Sequence, residues 1–210
     1  MPFQIFDLVH CGNTPFHRFA INTLVVWPML GLYMLINHHR PASPTIVPMP
    51  AWVPFWPVFL IFYLAMLLTT WLLPVAISDP ARFRAYLIAN VCGYLLVAPW
   101  WILIPTIIPR PPEPNGAWAS VFGLFWAIDQ PYNVMPCAHG IGPVTAAWFA
   151  VQVQPAWRWP LLALLTVGLS SVALTWQHRP TDILLGGIAT AIGIIVGETL
   201  LVRARREAQK

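Results

Sequence analysis

Six apolar runs, separated by short polar or proline-rich stretches, account for most of the chain. A helix needs about 20 apolar residues to cross a hydrocarbon layer of about 30 Å, and all runs but the fourth approach this length. The pattern predicts an all-α integral membrane protein, a six-transmembrane-helix bundle in which residues 1–210 form a single membrane-embedded domain. The predicted spans are Phe16 to Ile36, Val53 to Ile77, Tyr86 to Ile108, Gly140 to Val153, Pro160 to Trp176 and Ile183 to Val202.

The fourth run, Gly140 to Val153, is the shortest. At a rise of about 1.5 Å per residue, its helix covers only about 21 Å. We still expect it to span, because the stretch after it, Gln154 to Trp159, is too short to bring the chain back by another route. In the long loop before it, Pro109 to His139, the apolar segment Trp118 to Ile128 predicts a short interfacial or re-entrant helix.

A stripe of small residues, Ala189, Gly193 and Gly197, runs along the last predicted span. Such stripes allow another helix to approach closely. The partner is either a helix of the same chain, which we favour, or a second copy. The oligomeric state therefore stays open.

The composition agrees with a membrane location. Hydrophobic residues make up 58% of the sequence and charged residues 9%, and the mean hydropathy is +0.67. Soluble domains have far more charge. The net charge of +4 does not indicate nucleic-acid binding, because no basic face is interleaved with stacking aromatic residues. We expect contact with the lipid bilayer and not with nucleic acid.

Basic residues fall mainly on one side of the predicted bundle. With six spans, both termini share a side with the loops Ser78 to Ala85 and Gln154 to Trp159. Eight of the eleven basic residues lie there, and only three lie opposite. The positive-inside rule then predicts a plasma (inner) membrane protein with cytoplasmic termini. The three basic residues opposite are Arg40, Arg110 and Arg179, and the extracytoplasmic loops are Asn37 to Trp52, Pro109 to His139 and Gln177 to Asp182.

The three cysteines, Cys11, Cys92 and Cys137, are far apart and odd in number. They predict neither a disulfide framework nor a CxxC metal site. No cleavable signal peptide is predicted, because residues 1–15 lack a basic region followed by an apolar run.

Ionisable residues at membrane depth are functional candidates, and here they converge on the extracytoplasmic side. His178 and Asp182 are four residues apart where Pro180 predicts the start of a helix. The carboxylate is expected to orient the imidazole, which leaves one ring nitrogen free to attack an electrophile. The alternative is a structural helix cap. The converging residues are Arg110, Asp129, His139, His178, Arg179 and Asp182.

His139 and Arg110 extend this candidate site. His139 is flanked by small residues and suits general acid catalysis opposite His178, although it could instead be a structural histidine at the interface. Arg110 is a plausible clamp for phosphoryl oxygens, or else an arginine that extends to the membrane surface. Arg179, at the predicted helix start, adds a second guanidinium for such oxygens.

In their order and spacing these residues resemble the type 2 phosphatidic-acid phosphatase superfamily, whose pattern is K-x6-R-P, P-S-G-H and S-R-x5-H-x3-D. The stretch Asp129 to Gly140 is most similar to the branch with inositol phosphorylceramide and sphingomyelin synthases. The resemblance covers roughly residues 86–190. The matching residues are Arg110-Pro111, then Pro136-Cys137-Ala138-His139, then Ser171, His178 and Asp182.

The resemblance implies a metal-independent double displacement without a cofactor. His178 would attack phosphorus and form a phosphohistidine, with Asp182 as its orienting residue. His139 would act as general acid and then activate the acceptor. Arg110 would bind the phosphate, and we expect Cys137, Ala138, Ser171 and Arg179 to complete the substrate site.

Two departures from the family pattern remove positive charge. Leu103 stands at the position of the motif lysine, and Val172 stands at that of the third-motif arginine. A site with fewer cations should favour a phosphate that carries less charge, such as a diester.

The expected function is a membrane lipid phosphatase that hydrolyses a phosphate ester or pyrophosphate of a phospholipid or isoprenoid. One alternative is a phosphotransferase that moves a phospho-head group to a lipid alcohol, and another is a non-catalytic multi-pass protein. A cysteine phosphatase is excluded, because Pro143 stands where its loop needs arginine. A zinc site of His139, His178 and Asp182 has suitable ligand types but is disfavoured, since the family chemistry needs no metal.

Overall fold

Helices account for nearly all of the regular structure. The computed structural model describes residues 14–39 and 43–209, and in these ranges the chain forms seven α-helices and two short strands. The helices are α1 (Pro15–His38), α2 (Leu60–Leu72), α3 (Pro80–Leu103), α4 (Ala117–Ile128), α5 (Ile141–Val151), α6 (Arg158–Leu174) and α7 (Pro180–Glu207); the strands are β1 (Thr45–Ile46) and β2 (Thr106–Ile107).

Prolines set where the long helices begin. Pro15, Pro80 and Pro180 each occupy the first turn of a helix, where a missing N–H costs least. Thr14 accepts the backbone N–H of His17 and so caps α1. Asp79 caps α3 by accepting two backbone N–H groups of its first turn.

Among the described residues, five helical segments are long and apolar enough to cross a membrane. Large apolar side chains such as Leu24, Leu103 and Ile195 are more than half exposed on their outer faces. Lipid tails, and not water, suit a surface of this kind. The chain therefore has the architecture of a multi-pass membrane protein, as the apolar pattern predicts. The five segments are Pro15–His38, Pro57–Ala76, Pro80–Leu103, Pro155–Leu174 and Pro180–Glu207.

The fourth predicted span corresponds to α5, which is shorter than expected at 11 residues. Eight of those residues are buried, because α5 packs among α2, α3 and α7. A helix enclosed by other helices is not required to match the hydrocarbon thickness, since protein covers the irregular backbone at its ends.

The small residues of α7 pack inside the chain. A side chain at Gly193 or Gly197 would collide with the backbone carbonyl oxygens of Ala89 and Ala85 in α3. The stripe thus lets α3 and α7 approach closely, in agreement with the favoured interpretation.

The loops predicted to share one side do lie together. β1 pairs with β2 in parallel, with Thr45 opposite Thr106, and Ile107 forms an antiparallel bridge with Tyr132. The N–H of Cys137 donates to the carbonyl of Asp182 at 3.0 Å. These bonds join the loop after α1, the long loop after α3 and the loop before α7 into one layer, which we call the loop layer.

Basic residues gather at the opposite end of the bundle. Arg205 forms an ion pair with Asp79, and Nε of Arg18 donates to the carbonyl of Val75 at 2.7 Å. Of the residues used in the charge count and the cysteine analysis, Arg40, Lys210 and Cys11 lie outside the described ranges.

Candidate active site

The loop layer brings the rings of His139 and His178 into an edge-to-face contact. Their ring centroids are 4.7 Å apart with an interplanar angle of 64°. His139 lies two residues before α5 and His178 lies two residues before α7, so two helix starts position the two rings. The predicted topology likewise places the two histidines on the same side of the bundle.

A backbone carbonyl fixes the tautomer of His178. Nδ1 of its ring lies 2.5 Å from the carbonyl oxygen of Val134. A carbonyl can only accept, so Nδ1 carries the proton and Nε2 keeps a free lone pair. Burial, reinforced by the nearby His139, lowers the pKa of His178 to about 4. The ring is therefore neutral near pH 7 and can act as a nucleophile.

Asp182 forms no hydrogen bond with His178, which corrects the expectation that it orients the imidazole. Its carboxylate accepts the backbone N–H of Arg179 at 3.0 Å and the guanidinium at 3.1 and 2.7 Å. The reason is local, because Arg179 is the cap of α7 and Asp182 is its third helical residue. The pairing also neutralises Arg179, which is therefore not the free phosphate ligand expected from the sequence.

Asp129, one of the converging residues but without a role assigned from the sequence, lies beside His139. Its Oδ2 is 3.8 Å from Nε2 of His139, and its Oδ1 accepts the hydroxyl of Tyr33 at 2.6 Å. Both side chains of the pair are only 10% exposed. The signal for Asp129 was its place on the same side as the histidines, but only the folded loop shows which histidine it meets.

Burial dominates the electrostatics of this pair. It lowers the pKa of His139 to about 4, and it raises the pKa of Asp129 above its usual value, partly offset by the bond from Tyr33. His139 is thus neutral in the free site. A bound phosphate would supply the negative charge that favours the imidazolium form.

Arg110 lies at the edge of the same cluster. One of its terminal nitrogens donates to Oε1 of Gln177 at 3.2 Å, and the other donates to the backbone carbonyl of Asp129. Its guanidinium also lies 5.4 Å from the ring centroid of Trp126. Within the described residues it forms no ion pair with a carboxylate, so its charge is still available to an anion. Desolvation lowers its pKa from the usual value.

Cys137 and Ala138 are held in place by a close backbone contact. A side chain at Gly186 of α7 would collide with the carbonyl of Cys137, so glycine allows the loop to touch the helix. Sγ of Cys137 lies 3.6 Å from Nδ1 of His139, and burial raises the pKa of this thiol to about 12. Ala138 belongs to a buried apolar cluster that also includes Tyr33 and Trp101.

Ser171 is not available to a substrate. Its hydroxyl donates to the carbonyl of Gly168 within α6, and the residue is fully buried. A serine in a helix commonly satisfies its hydroxyl in this way. The neighbouring Val172 is likewise buried, whereas Leu103 is 77% exposed at the end of α3. Val172 lies near the site, since its carbonyl accepts the N–H of Gln177 at 3.0 Å, but its apolar side chain carries no charge.

A cleft of about 540 Å³ opens next to the loop layer and not over the histidines. It lies between α1 and α3. Trp101 in its wall donates its indole N–H to the carbonyl of Pro136 at 2.9 Å, which connects the cleft to the loop that carries His139. The lining residues are Leu35, Ile36, His39, Trp101, Ile102, Pro105 and Asn133.

Three side chains of the site could hold a metal ion. The ligand atoms of Cys137, His139 and His178 all lie within 4.8 Å of one another. The zinc site considered from the sequence had Asp182 as a ligand instead of Cys137. In the structure, Asp182 forms an ion pair with Arg179.

Comparison with protein-family models, curated proteins and solved structures found no match to this chain.

Proposed function

We propose that the protein is an integral membrane lipid phosphatase that works through a phosphohistidine. The observation that carries the proposal is the edge-to-face contact between the rings of His139 and His178, which separate loops hold 4.7 Å apart. The resemblance to the type 2 phosphatidic-acid phosphatase superfamily gives the pair its roles. No metal or cofactor takes part in this proposed reaction.

In the first step, Nε2 of His178 attacks phosphorus. The Nε2–P bond forms as the bond from phosphorus to the leaving oxygen breaks, and the electron pair departs on that oxygen. The hydrogen bond from Nδ1 to Val134 keeps the attacking nitrogen unprotonated and holds the ring in place. In the second step, an acceptor hydroxyl attacks the phosphohistidine, and the P–N bond breaks.

His139 is the proton carrier of both steps. Once an anionic phosphate enters, the ring takes up a proton, which it gives to the leaving oxygen and later regains from the acceptor. Asp129 supports this cycle as a positioning residue, because its carboxylate faces Nε2 of His139. Arg110 matches the arginine of the first family motif, and we propose that it binds phosphoryl oxygens.

A lipid substrate fits the surroundings of the site. The cleft between α1 and α3 is lined mainly by apolar side chains and touches the His139 loop through Trp101. An acyl or isoprenoid chain could lie in it while the phosphate reaches the histidines. With Arg179 paired and two motif cations replaced, a phosphate of low charge, such as a diester, is the preferred head group.

We further propose six membrane crossings, with α5 as the short fourth crossing and α4 as an interfacial helix of the loop layer. Both termini would then be cytoplasmic and the histidines extracytoplasmic, in a plasma (inner) membrane. The basic end of the bundle, with Arg18 and Arg205, supports this orientation.

The test uses protein purified in detergent with a chelator present. Phosphatidic acid, an isoprenyl pyrophosphate and a diester phospholipid are offered in turn, and free phosphate and new lipids are both measured. We expect turnover with at least one of them, together with an acid-labile phosphoprotein after rapid quenching of a reaction with labelled substrate. Absence of turnover with every class would leave the non-catalytic alternative.

His178→Asn is the decisive variant. The amide nitrogen of asparagine can replace Nδ1 in the bond to Val134, whereas the nucleophilic Nε2 is lost. We expect activity and phosphoprotein to disappear while elution in detergent stays unchanged. His17→Ala, at the opposite end of the bundle, is the matched control and should keep full activity. Full activity in His178→Asn contradicts the mechanism.

Burial favours a second candidate, a lipid phosphotransferase. His178 is only 2% exposed and Cys137 is 1% exposed. A site that excludes water protects a phosphohistidine from hydrolysis until a lipid alcohol arrives. The same assay separates the two, because transfer yields a new phospholipid without free phosphate.

A further inference from the structure

One thiol and two imidazoles converge in the loop layer, and this combination suits a soft divalent metal. Sγ of Cys137 and Nδ1 of His139 are 3.6 Å apart, and the ligand atom of His178 completes a set within 4.8 Å. In a tetrahedral zinc site, bonds of about 2.3 Å to sulfur and about 2.0 Å to nitrogen place neighbouring ligand atoms about 3.5 Å apart. The first pair already has this separation.

Both histidines also have the outer partners that metal ligands require. A ligating imidazole usually directs its second nitrogen at a carbonyl or a carboxylate. Nδ1 of His178 donates to Val134, which leaves Nε2 for a metal. For His139 the arrangement is reversed: Nδ1 faces Cys137, and Nε2 faces the carboxylate of Asp129 at 3.8 Å. Tyr33 holds that carboxylate in turn.

We propose that Cys137, His139 and His178 bind one Zn²⁺ ion and that the bound ion inhibits the enzyme. Three protein ligands leave a fourth tetrahedral position for water or a phosphate oxygen. On binding, the thiol of Cys137 loses its proton to solvent and the sulfur bonds to the metal. Zinc occupies Nε2 of His178, so that nitrogen cannot attack phosphorus.

The metal preference follows from the ligand types. Thiolate and imidazole suit Zn²⁺ and Co²⁺, whereas Mg²⁺ and Ca²⁺ prefer oxygen ligands. We therefore expect Zn²⁺ to bind in the presence of excess Mg²⁺. The binding itself is independent of the proposed function, and only the inhibition rests on it.

Co²⁺ is the probe for the first measurement, made on chelator-treated protein without substrate. We expect one Co²⁺ per chain, a thiolate-to-cobalt charge-transfer band and the visible absorption of tetrahedral Co²⁺. Zn²⁺ should abolish these bands by displacement. Cys137→Ser should remove the charge-transfer band and weaken Zn²⁺ binding at least tenfold. Cys92→Ser, a cysteine of α3 outside the cluster, is the matched control and should bind like the original protein.

Asp129→Asn is a second variant that leaves all three ligands intact. Loss of an outer-shell partner typically weakens metal affinity by about 10- to 100-fold. Binding that is absent, or equal in Cys137→Ser and the original chain, overturns the proposal. Inhibition is measured separately, as the Zn²⁺ concentration that halves turnover relative to each variant's own metal-free rate. Stoichiometric binding without any metal-free turnover would contradict the proposed function alone.

Discussion

At the scale of single residues, the role of a buried charged side chain depends on the group with which it pairs. Asp182 is fully buried and bound to Arg179, and removing one member of a buried pair typically costs about 3 kcal/mol. We predict that Asp182→Ala and Arg179→Ala both lower the free energy of unfolding by about that amount. Titration with SDS in mixed micelles measures it. Asp79→Ala, whose ion pair is exposed, should cost only about 1 kcal/mol.

The same variants distinguish a structural aspartate from one that orients the nucleophile. If Asp182 acted on His178 alone, Asp182→Ala would lose activity at unchanged stability, and Arg179→Ala would be harmless. Parallel losses of stability in the two variants support the pairing with Arg179.

Asp129 is predicted to act on catalysis through His139. Asp129→Asn keeps the side-chain size but removes the charge that favours the imidazolium, and we expect kcat to fall about 100-fold with KM nearly unchanged. Tyr33→Phe, which loses the bond to Oδ1 of Asp129, should show a smaller loss of the same kind. Steady-state kinetics on the best substrate measure both. A rise in KM at constant kcat would show that Asp129 binds substrate instead.

The proximity of the two histidines could be predicted from the sequence, but the partners of their neighbouring carboxylates could not. His139 and His178 could be placed together because each stands at the predicted start of a helix on one side of the bundle. The partners of Asp129 and Asp182 depend on side-chain directions within a few ångströms. Spacing of four residues suggested that Asp182 reaches His178, but the N-terminal capping geometry of α7 gives its carboxylate to Arg179.

Close contacts between elements hold the site together at the next scale. Gly186 of α7 lies against the carbonyl of Cys137, whereas the next residue, Gly187, has open space around it. We predict that Gly186→Ala displaces the loop that carries His139 and abolishes activity, with a lower midpoint of thermal unfolding. Gly187→Ala is the matched control and should be neutral or slightly stabilising, because alanine favours helix. Equal behaviour of the two variants would contradict the contact.

The helices themselves were largely predictable from the apolar runs, with errors confined to their ends. The third predicted span, Tyr86 to Ile108, begins earlier, at Pro80, because Asp79 caps the helix. It also ends earlier, at Leu103, since Pro105 follows and Thr106 and Ile107 pair with β1. The shared side of the loops was predicted, but pairing between distant loops leaves no signal in local hydropathy, so the bonding of β1 to β2 could not be predicted.

At the scale of the whole molecule, the number of membrane crossings decides where the termini lie. Five crossings put the termini on opposite sides of the membrane, whereas six put them on the same side. We propose six, with the short helix α5 as the fourth crossing. Single cysteines introduced into a cysteine-free background can be labelled with a membrane-impermeant maleimide. We predict that Glu113→Cys, in the loop after α3, reacts in intact cells. Gln154→Cys, after α5, and Glu207→Cys, at the end of α7, should react only after permeabilisation.

Gln154→Cys is the decisive variant of this test, because residue 154 lies just after the short helix α5. If α5 crosses, residue 154 shares a side with Glu207 and both stay protected in intact cells. If α5 folds back, Gln154→Cys reacts together with Glu113→Cys, and Pro155–Leu174 would begin on the outer side. Its C-terminal end would then lie away from the loop layer, yet the carbonyl of Leu174 accepts the N–H of Trp56 at 2.8 Å, next to that layer. This hydrogen bond therefore supports the proposed arrangement of six crossings, which the labelling of Gln154→Cys tests.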